Sequence, residues 1–210
     1  MDGVGKTTVA QRVAAAMNAV FLTTPSPKLR GFREEIVSSF GASQEAAQLF
    51  YLSTVFSASR EAESLLDRGY SVVIDRYFLS TQAYAEYRGS LLRVDHLQAL
   101  LMPADLTVLL HAPLATRRAR LLHRGSASAA DAETLSASAD AQLRASHASR
   151  LDLAVLGRVL EVDRPAKCRA TRAMRLGRDS YRYRPGLLAA VLRLYGYASD
   201  QRLLGALTTN

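Results

Sequence analysis

The 210-residue chain is poor in the features that mark several protein classes. It has one cysteine, Cys168, so no internal disulfide can form and a secreted disulfide scaffold is excluded. Its longest apolar stretch, Leu97 to Ala115, is interrupted by Pro103, Asp105 and Pro113. It falls short of the ~18 continuous apolar residues that a bilayer span requires, and no membrane partner is expected. The opening residues, Met-Asp-Gly-Val-Gly-Lys, supply neither a basic n-region nor an apolar h-region. A signal peptide is therefore not expected, and a cytoplasmic protein is. No repeat with a period of roughly 20–50 residues is visible. Lysine is scarce as well: three of the 27 basic residues are lysines, namely Lys6, Lys28 and Lys167.

The net charge of +8 is unevenly placed. Between Arg164 and Arg184 the basic residues are Arg164, Lys167, Arg169, Arg172, Arg175, Arg178, Arg182 and Arg184, opposed only by Asp179. The rest of the chain is close to neutral, and the basic stretch reads as a solvated arginine-rich surface. A nucleic-acid partner is not expected. The expected organisation is one domain over 1–163 and a basic helical extension over 164–210.

Helix-forming and β-branched segments alternate. Residues 7–17, 29–40, 45–68, 81–87, 93–101, 114–123 and 134–153 read as helices. Residues 19–23, 70–74, 106–110 and 158–162 are short apolar runs of the kind that form strands covered on both faces. This order indicates an α/β fold of three layers, a parallel sheet flanked by helices. The small, polar run from Gly125 onward suits a lid at about 125–134.

The chemistry is concentrated in Gly3-Val4-Gly5-Lys6-Thr7-Thr8. Glycines let backbone N–H groups turn inward around a phosphate without a Cβ in the way. Lys6 supplies a point charge for the β and γ phosphates, and Thr7 a hydroxyl for Mg²⁺. The helix that follows points its positive end at the same anion. The full loop has another glycine five residues before Gly5, one position ahead of Met1, and the strand that feeds such a loop is absent too. The expectation is therefore a sheet without its first central strand, with a native start upstream of Met1 as the favoured explanation. A second element, Val72-Val73-Ile74-Asp75-Arg76, places a carboxylate and a guanidinium at a strand's carboxyl end, where ligands of parallel sheets bind. Asp75 can hold the metal or its water, and Arg76 can bridge transferring phosphates.

The chain resembles the thymidylate kinase family of P-loop nucleoside monophosphate kinases. The likeness is carried by Asp2-Gly-Val-Gly-Lys-Thr-Thr8, Leu49-Phe50-Tyr51, Asp75-Arg-Tyr-Phe-Leu-Ser-Thr-Gln-Ala-Tyr84, Pro103-Ala-Asp-Leu-Thr-Val-Leu-Leu110 and Arg120-Leu-Leu-His-Arg-Gly125. It implies a five-stranded parallel sheet, ATP with Mg²⁺ as donor, and thymidine monophosphate or a divergent nucleotide as acceptor. Catalysis would rest on Lys6, Asp75, Arg76 and Asp2. Gly3, Val4, Gly5, Lys6, Thr7, Thr8, Arg120 and Arg124 would bind ATP, with Thr7 and Asp75 serving the metal. Asp2, Phe50, Arg76, Tyr77, Ser80, Thr81, Gln82 and Tyr84 would form the acceptor site, Phe50 stacking on the base. A homodimer is compatible with this reading.

Some expected cations are missing. Thr23-Thr24-Pro25 stands where the family has Arg-Glu-Pro, and Thr54 replaces an acceptor-binding Arg four residues after the stacking ring. Two alternatives stay open on that ground: a kinase of an unphosphorylated nucleoside or other metabolite, and a non-catalytic nucleotide-binding protein. The four histidines (His96, His111, His123, His147) lack metal-ligand spacing and read as structural.

Overall fold

The computed structural model describes residues 2–123 and 133–163. Arg124, the expected lid as far as residue 132, and the basic extension over 164–210 lie outside the described residues.

The chain enters through the glycine loop into α1 (Lys6–Met17) and then β1 (Val20–Thr23). Two short helices, α2 (Pro27–Arg30) and α3 (Arg33–Ser39), lead to the long α4 (Gln44–Asp67). Next come β2 (Val72–Asp75), α5 (Phe78–Tyr87), a 3₁₀ turn (Asp95–Leu100), β3 (Leu106–His111) and α6 (Leu114–His123). The described chain ends with α7 (Ala137–Ala148), a second 3₁₀ turn and β4 (Arg158–Asp163).

The four strands of the described residues pair in parallel, β1 with β2 and β3 with β4. Among the described residues no ladder joins β2 to β3, so the sheet is two parallel pairs rather than a continuous five strands. The register opposes Thr23 to Asp75 and His111 to Asp163 at the carboxyl ends. Two apolar clusters fill the interior. One joins Val4, Val13, Tyr84, Leu110, Leu143 and Leu160; the other joins Leu52, Val55, Phe78, Leu101 and Leu156. Where β4 begins, Gly157 has φ +57°, and a Cβ there would lie 1.8 Å from the Ala104 carbonyl oxygen, so only glycine fits.

Three expected helices are corrected. The helix expected over 29–40 is split, because Gly31, a poor helix former, lies at a tight turn in which Phe32 N–H reaches the Leu29 carbonyl (3.2 Å). The segment expected as α-helix over 93–101 is a 3₁₀ turn. Its end is fixed by tertiary bonds: Ser59 accepts from Met102 N–H (2.8 Å), and the Gln98 side chain accepts from Val155 N–H (3.1 Å). The helix expected over 134–153 runs only from Ala137 to Ala148. It starts where Ser136 Oγ accepts from Ala139 N–H (3.0 Å), a side-chain cap.

Candidate active site

The site forms where three chain segments converge: the loop before α1, the end of β2, and the first turns of α5. Gly3 (φ +77°) and Gly5 (φ +93°) hold the left-handed backbone that curls the loop. Val4 points inward and is buried in the first cluster, which anchors the loop to the core. Gly5 is the N-cap of α1, so the helix directs its partial positive charge into the loop.

β2 delivers Asp75 and Arg76 to the same place. Thr7 Oγ1 donates to Asp75 Oδ2 at 2.5 Å, joining α1 to the strand end. Arg76 has φ +67°, a left-handed conformation that costs a non-glycine residue on the order of 1–3 kcal/mol. The Thr24 hydroxyl holds that backbone by donating to the Arg76 carbonyl (2.8 Å), and the Arg76 Nη2 is bonded to Asp2 Oδ1. The other Asp2 oxygen accepts from the Tyr84 hydroxyl (2.7 Å), and Lys6 Nζ stands 3.7 Å from Oδ1. Two guanidinium groups approach the Tyr84 ring, Arg76 at 5.3 Å and Arg88 at 5.7 Å from its centroid.

This arrangement sets the charges. Burial alone would raise the Asp2 carboxyl, but Arg76, Lys6 and the Tyr84 hydroxyl together hold it well below the usual carboxylate range. Lys6 is pulled down to about 8, mainly by burial and then by Arg76, against the opposing pull of Asp2 and Asp75. Burial raises Tyr84 above the ordinary phenol range, and Asp2 adds to it. Burial works against the Arg76 charge, yet Asp2 beside it raises its pKa and keeps it cationic.

The structure therefore brings together Asp2, Gly3, Val4, Gly5, Lys6, Thr7, Asp75, Arg76 and Tyr84. Thr8 is exposed on the next position of α1. Arg120 reaches the loop, but its Nη1 donates to the carbonyls of Gly3 (3.2 Å) and Val4 (3.0 Å). Phe50 packs against Phe40 (6.3 Å between centroids) and Tyr51 (5.2 Å). Ser80 and Thr81 both donate to the Tyr77 carbonyl, while the Tyr77 hydroxyl donates to the Met102 carbonyl. Gln82 is buried; its Oε1 accepts from Gln48 Nε2 (2.6 Å) and its own Nε2 lacks a partner. These five side chains lie outside the charged cluster around Asp2.

A cleft of about 830 Å³ is lined among others by Arg33, Glu34, Tyr51, Tyr87, Arg88 and Glu133. Arg88 links the two regions through the Tyr84 ring and also pairs with Glu133 (2.9 Å). Sequence reading missed this lining. Arg88 caps the end of α5 with no motif around it, and Tyr51 follows Phe50 in a stretch that draws attention to the neighbouring ring instead.

Thr7 and Asp75 offer hard oxygen donors within hydrogen-bond distance of each other, the donor type that Mg²⁺ takes alongside phosphate and water. Among the described residues no group of three His, Cys, Asp or Glu forms a metal cluster, and no helix is long and apolar enough to cross a membrane.

The model of the thymidylate kinase family matches residues 1–155. Among solved structures, a thymidylate kinase from Candida albicans superposes with a TM-score of 0.63 at 18% identity, covering 97% of this chain and 90% of that one. Its structure is described as revealing the origin of broad substrate specificity and a novel structural element. No curated protein matches the sequence.

Proposed function

Because the chain belongs to the thymidylate kinase family, we propose that it transfers the γ-phosphoryl group of ATP to a nucleoside monophosphate, with thymidine monophosphate the first candidate. The observation that carries this reading is the convergence at the Gly3–Thr8 loop of Asp75, bonded to Thr7, and of Arg76, bonded to Asp2 beside Lys6.

Phosphoryl transfer needs little covalent chemistry from a protein; position and charge supply the rate. The loop amides and Lys6 would hold the donor phosphates. Mg²⁺, held through Thr7 and Asp75, would offset charge on the bridging phosphates. Arg76 is fixed from three sides, by its strained backbone, by Asp2 and by the Tyr84 ring, and would sit between donor and acceptor. An acceptor phosphate oxygen bonds to the γ-phosphorus as the bond from that phosphorus to the bridging oxygen breaks, and the electron pair leaves with ADP. A phosphate acceptor is already anionic and needs no base to remove a proton.

The acceptor would occupy the cleft that Arg33 and Arg88 line, its phosphate competing with Glu34 (3.5 Å from Arg33) and Glu133 (2.9 Å from Arg88) for cations that would stand in for those absent at Thr23 and Thr54. Thr54 itself is buried and donates to the Tyr51 carbonyl (2.7 Å), so it is a helix residue rather than a ligand. A cytoplasmic location is part of the same proposal.

The test is a coupled ADP-release assay over nucleoside monophosphates and the corresponding nucleosides, with Lys6→Met as control. ADP release that requires a monophosphate and Mg²⁺, and is lost in Lys6→Met, is expected. Release with nucleosides alone would transfer the reading to an unphosphorylated acceptor, and no release with any of them would refute a kinase.

A further inference from the structure

Arg117, on the first turns of α6, is fully buried. Its Nε donates to the Asp2 carbonyl (2.8 Å), Nη1 to Asp140 Oδ1 (2.5 Å), and Nη2 to the Thr134 carbonyl (2.9 Å). A planar guanidinium presents its donors in a fixed fork, so these acceptors are held in one relative geometry. One turn along α6, Arg120 donates to the carbonyls of Gly3 and Val4. Three consecutive loop carbonyls, those of residues 2, 3 and 4, thus turn toward α6. The helix also presses on the loop directly: a Cβ at Gly3 would lie 2.9 Å from the Arg117 carbonyl oxygen.

A peptide unit is planar, and in its trans form the carbonyl of one residue and the N–H of the next point in opposite directions. Among the described residues the cis bond is Thr24–Pro25, outside the loop. Drawing the carbonyls of Asp2, Gly3 and Val4 toward α6 therefore aims the N–H groups of Gly3, Val4 and Gly5 the other way. We propose that Arg117 is a positioning residue: with Arg120 it grips the loop carbonyls from behind and so sets the direction of the amides that receive phosphate. Asp140 steadies the grip by accepting also from Arg144 Nε (2.9 Å), whose Nη1 lies 3.1 Å from His111 Nδ1 at the end of β3. The loop is thereby referenced to α7 and the second strand pair.

The proposal rests on the nucleotide-kinase reading for its consequence, but not for its geometry, and the test separates the two. Backbone ¹⁵N relaxation on the full chain gives order parameters for Gly3, Val4 and Gly5 without nucleotide. Arg117→Lys keeps a charge for Asp140 but has no fork, and should lower the order parameter of Gly3 from about 0.85 to below about 0.6. Arg120→Met should do the same at Val4 and Gly5. In Arg117→Lys the KM for ATP should rise at least tenfold, with the KM for the acceptor within twofold. Unchanged loop order, or an equal loss of order throughout β3, β4 and α6, would overturn the proposal. If Arg117→Lys does not fold, Arg120→Met decides it, since that side chain is only partly buried. Failure of the wild type to bind MgADP would instead refute the nucleotide reading, while the order parameters still test the grip.

Discussion

Raising the pH should disarm the site through Lys6 before any other group of the loop. Lys6 titrates near 8 because burial and the adjacent Arg76 disfavour its charge, only partly offset by Asp2 and Asp75. A group with that pKa is about 90% charged at pH 7 and about 10% charged at pH 9. The value of kcat/KM for MgATP, which reports the free enzyme, should then fall about tenfold per unit above pH 8. The kcat profile should break later, because bound phosphates favour the ammonium form. Asp2→Asn removes a carboxylate 3.7 Å from Nζ, so its break should shift to lower pH. The direct assay is an NMR titration of ¹³Cε-lysine-labelled protein. With three lysines in the chain, the spectrum is simple and Lys6→Met assigns the signal. A Lys6 titration near 10.4, or an Asp2→Asn break shifted upward, would refute the charge balance derived for the cluster.

Tyr84→Phe deletes the hydroxyl that donates to Asp2 but keeps the ring that the two guanidiniums approach. It should cost about 1.5–3 kcal/mol in urea unfolding at neutral pH, the worth of a buried bond to a charged group. A loss below about 0.5 kcal/mol would mean that the other partners of Asp2 compensate. His147 is buried, and burial holds it down to about 4, so the unfolded chain binds a proton that the native one refuses between roughly pH 6.5 and 4. Stability should therefore fall with acidification below pH 6.5, the slope steepening toward about 1.4 kcal/mol per unit near pH 5, above the range where Asp2 and Glu86 protonate. His147→Leu should flatten that slope, and an unchanged slope would exclude His147 as its source.

What the sequence determined by itself is local. A glycine-rich turn leading into a helix, with lysine and threonine at the start of that helix, has few alternative conformations, and so the loop and α1 were legible without coordinates. Short β-branched runs separated by helical segments likewise required parallel strands, and Asp75-Arg76 at the end of one had to lie near the loop because parallel strands open their carboxyl ends on one side. Where local propensity was weak, tertiary bonds decided the outcome, as in the 3₁₀ turn tied to Ser59 and Val155. The tertiary structure alone decided what the arginines of α6 do. Arg120 stands in a stretch that carries the family resemblance, yet that stretch points to ATP and not to the loop carbonyls it grips; Arg88 and Arg117 stand outside every such stretch, and the residue type carries no information about its partner. One is placed over a tyrosine ring, one is buried behind the loop, and one grips two loop carbonyls. The roles of Arg117 and Arg120 follow from a helix brought against the loop across more than a hundred residues of sequence, a relation to which no pattern in the chain refers, whereas Arg88 meets Tyr84 only four residues back.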